Sequence, residues 1–387
     1  MIKKHIILVF VVGISLLFGS CAEMIELSYD IDNMIAAAEA LEANSDAKST
    51  SNEPDIPNNV IYIIGDGMGV AQVYSSVVAA KSDSSAFLRF PFSGFSRTYS
   101  RNHYRTDSSA GGSALTTGKK VDNYHVNWGP DSTRYNTVFD DAVAVGMSTG
   151  FVVTSDVLDA TPAATYGHVP NRKLYDNLSA QMAQCAHSVM IGGGYNYFLP
   201  ENRKDSISPL DTLIARGYYL TRSIDSVESF KGERLVGLLY DGKPVGAPER
   251  GDMLRRCSLK AIDILGRNPK GFALMIEGSQ IDWACHDQDS AHLRAEMADF
   301  ESMLNAVLDF AERDGSTLVV VTADHETGGL TLPSGDIEAG TNDMRFLWGS
   351  HTGCMVPVFA YGPGAEYFSG IHQNTDIPEI IRWIMNF

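Results

Sequence analysis

A three-layer α/β sandwich, with a mostly parallel central sheet and helices on both faces, is the fold class this sequence predicts, on two observations. The runs Val60 to Ile64, Thr149 to Val153, Ser188 to Ile191, Phe272 to Ile276, Thr317 to Val321 and Val356 to Ala360 are short and nearly continuously apolar, the pattern of strands buried on both faces. Helical stretches separate them, most clearly His292 to Arg313. There Met297, Phe300, Leu304, Val307, Leu308 and Ala311 recur at helical spacing, with acids and Asn305 on the other side. Strands alternating with helices build a parallel sheet, and such sheets bind ligands beyond the carboxyl ends of their strands.

From the N-terminus, Met1-Ile2-Lys3-Lys4 is a positive start and Ile6 to Phe18 an apolar run ending at Gly19-Ser20-Cys21. That is the pattern of an export signal, shorter than the roughly 20 residues a membrane-crossing helix needs. Residues 1–21 therefore read as a signal peptide. The small residues before Cys21 resemble a bacterial lipoprotein cleavage site, although Phe18 stands where that pattern has a smaller aliphatic residue. Cys21 would then carry lipid and tether the protein in the periplasm or cell envelope; the alternative is an ordinary cleaved signal. Residues 22–58 read as a tether, with one short helix at Ile35 to Glu42 and a Ser/Asn/Asp/Pro-rich stretch after it. Residues 59–387 read as one folded domain without internal repeats.

With 387 residues, 44% hydrophobic and 20% charged, the chain can bury a large core. Its formal net charge of -17 excludes nucleic acid and anionic membrane surfaces as partners, since both reward clusters of Lys and Arg. A protein of that charge acting on anions must supply positive charge locally, which points toward metals. Cys185, Cys257, Cys285 and Cys354 remain after the signal; they are too few for a disulfide scaffold, and one or two bridges stay open.

Polar residues stand where the apolar runs end: Asp66, Glu277, and Asp324 with His325. One Asp at a strand end is usually a cap or turn residue, but several together should converge on one rim. Asp282 and His286, four residues apart, share one face of a helix and can face one metal. With Asp324-His325 and Ser350-His351-Thr352-Gly353 they form the mixture of imidazoles and carboxylates that zinc favours. Thr106-Asp107-Ser108-Ser109-Ala110-Gly111-Gly112 offers a serine at a helix start, with small residues that would let a phosphate approach backbone N–H groups.

Gly65-Asp66-Gly67-Met68-Gly69, Thr106-Asp107-Ser108, Asp159-Ala160-Thr161-Pro162-Ala163, His168 to Arg172, Glu277-Gly278, Asp282 with His286, Thr322-Ala323-Asp324-His325 and His351-Thr352-Gly353 occur in one order. In that order they resemble the motifs of the alkaline phosphatase family over about residues 58 to 387. The resemblance implies hydrolysis of small-molecule phosphate monoesters through a phosphoserine at Ser108, with two zinc ions and one magnesium ion. Asp282, His286 and His351 would hold the first zinc; Asp66, Asp324 and His325 the second; and Asp66, Asp159, Thr161 and Glu277 would surround magnesium. Arg172 would grip two phosphate oxygens with its planar fork, which a lysine cannot copy.

Two departures from the family's pattern carry expectations. Trp283 stands where some members have a basic residue, so phosphate should be held less tightly. The segment 326–350 is short where many members insert a lobe that helps form a dimer, leaving monomer and homodimer both open. Among rivals, a sulfatase would need a Cys/Ser-x-Pro-x-Arg segment around Ser108, a diesterase has no use for Arg172 on two free oxygens, and a binding protein that has lost catalysis should have lost a costly group.

Overall fold

The computed structural model describes residues 56–81 and 84–387; the signal segment, Cys21 and the short tether helix at Ile35 to Glu42 lie outside the described residues. Among the described residues fourteen strands are formed: β1 Asn59–Gly65, β2 Phe92–Arg97, β3 Ser148–Asp156, β4 Val189–Gly193, β5 Tyr219–Thr221, β6 Leu235–Leu238, β7 Phe272–Gly278, β8 Thr317–Thr322, β9 Glu326–Thr327, β10 Thr331–Asp336, β11 Thr341–Arg345, β12 His351–Thr352, β13 Val356–Tyr361 and β14 Gly370–Gln373. Ten of them make one sheet in the order β14-β2-β13-β8-β1-β7-β3-β4-β6-β5. Only β13 runs against its neighbours, so the sheet is mostly parallel as expected.

Every residue of β1 and β7 is buried, which is why these segments read as unbroken apolar runs. Their alternate side chains feed two cores. Ile61, Ile63, Leu274 and Ile276 join one, while Val60, Tyr62, Ile64, Ala273 and Met275 join the other. Helix α5 (Ser290–Asp314) covers the first with Leu293, Met297, Phe300, Leu304, Val307 and Leu308, beside α3 (Met253–Leu265). Asp289 caps the start of α5 by accepting from the backbone of Ala291 and His292, and Gly315 ends it at φ 70. Helix α6 (Asp376–Met385) covers the other face with Ile377, Ile381 and Ile384. Each such side chain contributes about 1.5–3 kcal/mol by leaving water.

Register brings the functional strand ends level. Ile64 of β1 pairs with Glu277 of β7 and with Thr322 of β8, and Val153 of β3 pairs with the same Glu277. Asp66, Glu277 and Asp324 therefore lie within two residues of one line across the sheet. Chain segments more than two hundred residues apart meet there because the strands are in parallel register.

The second core also holds His187, ringed edge-on by Phe139, Phe151 and Tyr166. Its Nε2 faces the Thr165 hydroxyl at 3.0 Å and its Nδ1 the Thr149 hydroxyl at 2.8 Å. Burial pushes its pKa down to about 4, from an unfolded value of 6.5. The folded imidazole stays neutral while the unfolded one takes a proton, so the stability tied to neutral His187 is complete above pH 6.5 and is lost as pH falls toward 4. Urea unfolding at pH 7.5 and pH 5 should show wild type losing about 2 kcal/mol more than His187→Gln, from 1.36 kcal/mol per pH unit over the interval below 6.5. Equal losses would refute this account of His187.

Cys185, Cys257, Cys285 and Cys354 are all free, so the possible bridges are not formed. Among the described residues no helix is long and apolar enough to cross a membrane.

Candidate active site

The serine singled out by sequence opens α2 (Ser108–Thr117) and is 5% exposed. Asp107 is the cap, accepting from Ala110 N and from the Ser109 hydroxyl, which leaves the Ser108 hydroxyl unengaged by its own helix. Its Oγ lies 3.3 Å from His325 Nε2. Gly111 and Gly112 permit close packing. A Cβ on Gly111 would stand 3.0 Å from the Asp324 Cβ and carbonyl, and one on Gly112 3.3 Å from Ala164. The pair lets α2 press against the Asp324 loop and the single helical turn Ala160–Ala163, which brings Ser108 to His325.

Two sets of ligand atoms converge, each within 4.8 Å: Asp282, His286 and His351, and Asp66, Asp324 and His325. They coincide with the two zinc sets that the resemblance implied. Asp282 and His286 lie on α4 (Gln280–His286), one turn apart. His351 reaches them because β12 pairs with β9, setting it opposite Thr327 and stacking its ring on His325 at 3.5 Å between centroids. Each imidazole of the first set is aimed by a backbone carbonyl: His286 Nδ1 lies 3.0 Å from Gly349 O and His351 Nδ1 lies 2.9 Å from Thr106 O. Both Nε2 atoms then face inward, 3.1 Å apart. Two imidazoles that aim ring nitrogens at one point, beside Asp282, fit a cation better than each other.

The second set is fully enclosed. Asp66 Oδ1 and Asp324 Oδ2 are buried without a hydrogen-bond partner, a costly state that a bound cation removes. Burial, and then the charges of Asp324, Asp282 and Glu277, push the Asp66 pKa well up. Burial likewise depresses that of His325, so its ring is neutral and able to donate a lone pair. Gly67, at φ 73, turns the chain beyond Asp66, and any Cβ there would strike Asp282 Cα at 2.8 Å.

The magnesium residues of the resemblance gather less tightly. Glu277 and Thr161 are 1% exposed, the Thr161 hydroxyl has no partner, and burial followed by the nearby carboxylates pushes Glu277 up to about 8. Asp159 is turned to Arg172, with Oδ1 2.7 Å from Nη2. Burial alone would raise Asp159, but Arg172, the Ala160 N–H and Lys243 together outweigh it and hold the carboxylate low. Arg172 is also near Asp107, with Nη1 3.8 Å from Oδ2, and its backbone N–H donates to Tyr124 O at 2.7 Å. Two carboxylates thus hold the guanidinium at the mouth of the Ser108 site.

Three participants escaped sequence reasoning. Glu326, 5% exposed, accepts from Gln72 Nε2 at 2.9 Å and from the Thr352 hydroxyl, tying β9 to β12. Its place directly after His325 was the one available signal. Asp156, at the end of β3, is pushed up to about 6 by burial and then by Asp159. Lys243 lays its ammonium 3.9 Å over the ring of Trp283, and its charge reaches both Asp156 and Asp159. The Trp283 position, lacking a charge of its own, has one supplied from a distant loop.

A family model described as alkaline phosphatase matches residues 57–346. Alkaline phosphatase 3 of Bacillus subtilis (strain 168) is 31% identical, with 89% of this chain and 92% of that protein covered. The structure of alkaline phosphatase from the Antarctic bacterium TAB5 superposes with a TM-score of 0.80 at 34% identity, over 86% of this chain and 99% of that one. A mutant of the same Antarctic enzyme has been solved with Mg bound, and gives the same TM-score over 87% of this chain.

Proposed function

From the premise that the chain belongs to the alkaline phosphatase family and is a phosphoric monoester hydrolase with metal cofactors, we propose that Ser108 is its nucleophile. Asp282, His286 and His351 hold one zinc ion, and Asp66, Asp324 and His325 a second. Asp66, Asp159, Thr161 and Glu277 surround magnesium, and Arg172 clamps the phosphate. The observation that carries this reading is the Ser108 hydroxyl beside His325 Nε2, with two convergent ligand sets around it. When bound, the metal ions lower the pKa of a hydroxyl or water and neutralise charge on the departing oxygen.

The chain's own residues do the rest. The N-terminal turn of α2 points its N–H groups toward the substrate phosphate, and Arg172 offers two parallel donors to oxygens that only a monoester leaves free. Asp159 and Asp107 fix that fork before substrate arrives, so little orientation entropy remains to be lost. Ser108 Oγ attacks phosphorus, the alcohol leaves, and a phosphoserine forms; water then attacks from the vacated side and phosphate departs. Accelerations of phosphate-monoester hydrolysis reach ~10²¹, so a single proton transfer worth ~10²–10⁴ is insufficient, and the concentration of charged groups here follows from that demand.

Residues 59–387 are proposed as the catalytic domain, reached through a cleaved signal and a tether on Cys21 that places it in the periplasm or cell envelope; fatty-acid labelling lost in Cys21→Ser checks the anchor. The function is tested by product release from an aryl phosphate, an aryl phosphodiester and an aryl sulfate at alkaline pH with zinc and magnesium. The monoester should be preferred by at least about 10²-fold, the worth of two charge-assisted hydrogen bonds. Preference for the diester or sulfate would remove the reading.

A further inference from the structure

The chain between β6 and α3 carries Lys243 and is tied down at its backbone. Gln280, the first residue of α4, donates from Nε2 to Pro244 O at 3.0 Å and Val245 O at 3.2 Å, and Arg250 donates to Val245 O at 2.9 Å. On the other side Gly194 N donates to Gly242 O at 2.9 Å. A Cβ on Gly193 would collide with that same oxygen and stand 2.9 Å from Pro244 Cδ. Both neighbours of Lys243 are thereby pressed onto the end of β4, where Gly193 pairs with Asp156 of β3. The lysine ammonium lies 3.9 Å over the ring of Trp283, one turn of α4 beyond Gln280. The helix that supplies Asp282 and His286 therefore fixes both the backbone beside Lys243 and the end of its side chain.

Arg172 is held by two carboxylates, Asp159 at 2.7 Å and Asp107 at 3.8 Å. A third charge stands beside Asp159: Asp156, whose carbonyl accepts from Asp159 N at 3.0 Å, is 4% exposed, and its Oδ1 has no hydrogen-bond partner. A phosphate dianion that approaches the Arg172 fork meets these carboxylates as well, and their repulsion weakens its binding. Lys243 brings a second cation to the same corner, and its charge acts on both Asp156 and Asp159. The Trp283 ring holds that ammonium in place through its π face.

We propose that Lys243 is a positioning residue for the phosphate group. By offsetting Asp156 and Asp159 it leaves the Arg172 fork free to turn from Asp159 to the ligand, and so tightens the hold on both substrate and product phosphate without touching either. The proposal rests on the hydrolase reading above, and it opposes the weaker hold on phosphate expected from Trp283 by itself. Lys243 is exposed, so its influence is open to screening by salt.

The test measures binding of inorganic phosphate by calorimetry, and KM and kcat for an aryl phosphate, in the metal-loaded wild type, Lys243→Met and Lys243→Arg at pH 8. Methionine keeps an unbranched apolar stem on Trp283 without the charge, and arginine keeps the charge. At about 0.1 M salt Lys243→Met should raise both the phosphate dissociation constant and KM by about threefold to tenfold, the effect of one partly screened charge on a dianion, with kcat not lowered. Lys243→Arg should stay within about twofold of wild type. At about 1 M salt, where screening acts over roughly 3 Å instead of 10 Å, the gap between wild type and Lys243→Met should close. Phosphate binding by Lys243→Met within about twofold of wild type at low salt would overturn the proposal. Equal weakening in both variants, or weakening that high salt leaves unchanged, would also overturn it and make Lys243 a prop for its loop. A wild type that neither binds phosphate nor hydrolyses the ester would instead remove the hydrolase reading itself.

Discussion

Ser108→Ala lowers kcat/KM for an aryl phosphate by about 10⁴-fold or more, the scale seen when a nucleophile is removed from an otherwise intact site. Nothing nearby replaces it, because the Ser109 hydroxyl is committed to Asp107 at 2.6 Å. The fold is untouched, since Asp107 and not Ser108 caps α2, so the melting temperature should stay within a degree or two of wild type. Brief mixing with labelled substrate followed by acid quench should leave phosphate on wild type and none on the variant. Turnover above a tenth of wild type would mean that water attacks directly and that Ser108 only binds.

The second large effect is removal of divalent ions. Chelation should abolish activity, and zinc with magnesium should restore it. The five carboxylates Asp66, Asp159, Glu277, Asp282 and Asp324 then face one another with Arg172 close by, and burial has already pushed Asp66 well up and Glu277 to about 8. A carboxyl group raised in the folded state holds a proton that the unfolded state releases, so metal-free stability falls as pH rises from about 4.5 to about 8 for Glu277. Metal ions compete with those protons, so their stabilisation grows across the same window. Calorimetry at pH 8 should find the chelated protein melting roughly 5–15 °C below the metal-loaded one, with a smaller gap at pH 5.5. Coincident melting curves at pH 8 would show that these carboxylates hold no ion.

Strands with unbroken apolar runs were legible because burial on both faces leaves no polar residue to blur them. β2, written Phe92-Ser93-Gly94-Phe95-Ser96-Arg97, was not: it alternates between buried and exposed toward one edge of the sheet. The short β5, β6 and β14 carry too few residues to show a period. The helix expected from His292 to Arg313 begins two residues earlier, at its Asp289 cap, and ends one residue later, at Gly315. Boundaries depend on single hydrogen bonds, whereas the body of a helix depends on many repeated contacts.

The candidate site divides the same way. Sequence by itself determined which groups are present: the serine at a helix start, the carboxylates and histidines at strand ends, and the arginine. Each is an exception to a local pattern and shows against it. Tertiary structure alone decided what each group meets. Parallel register put Asp66, Glu277 and Asp324 on one line, the β9–β12 pairing laid His351 on His325, and the loops brought Gly349 and Thr106 carbonyls behind two imidazoles and Lys243 over Trp283. Hydrophobic periodicity is written along the chain and survives in one dimension. A hydrogen bond or an ion pair acts over a few ångströms between segments that only the packing of the whole sheet brings together.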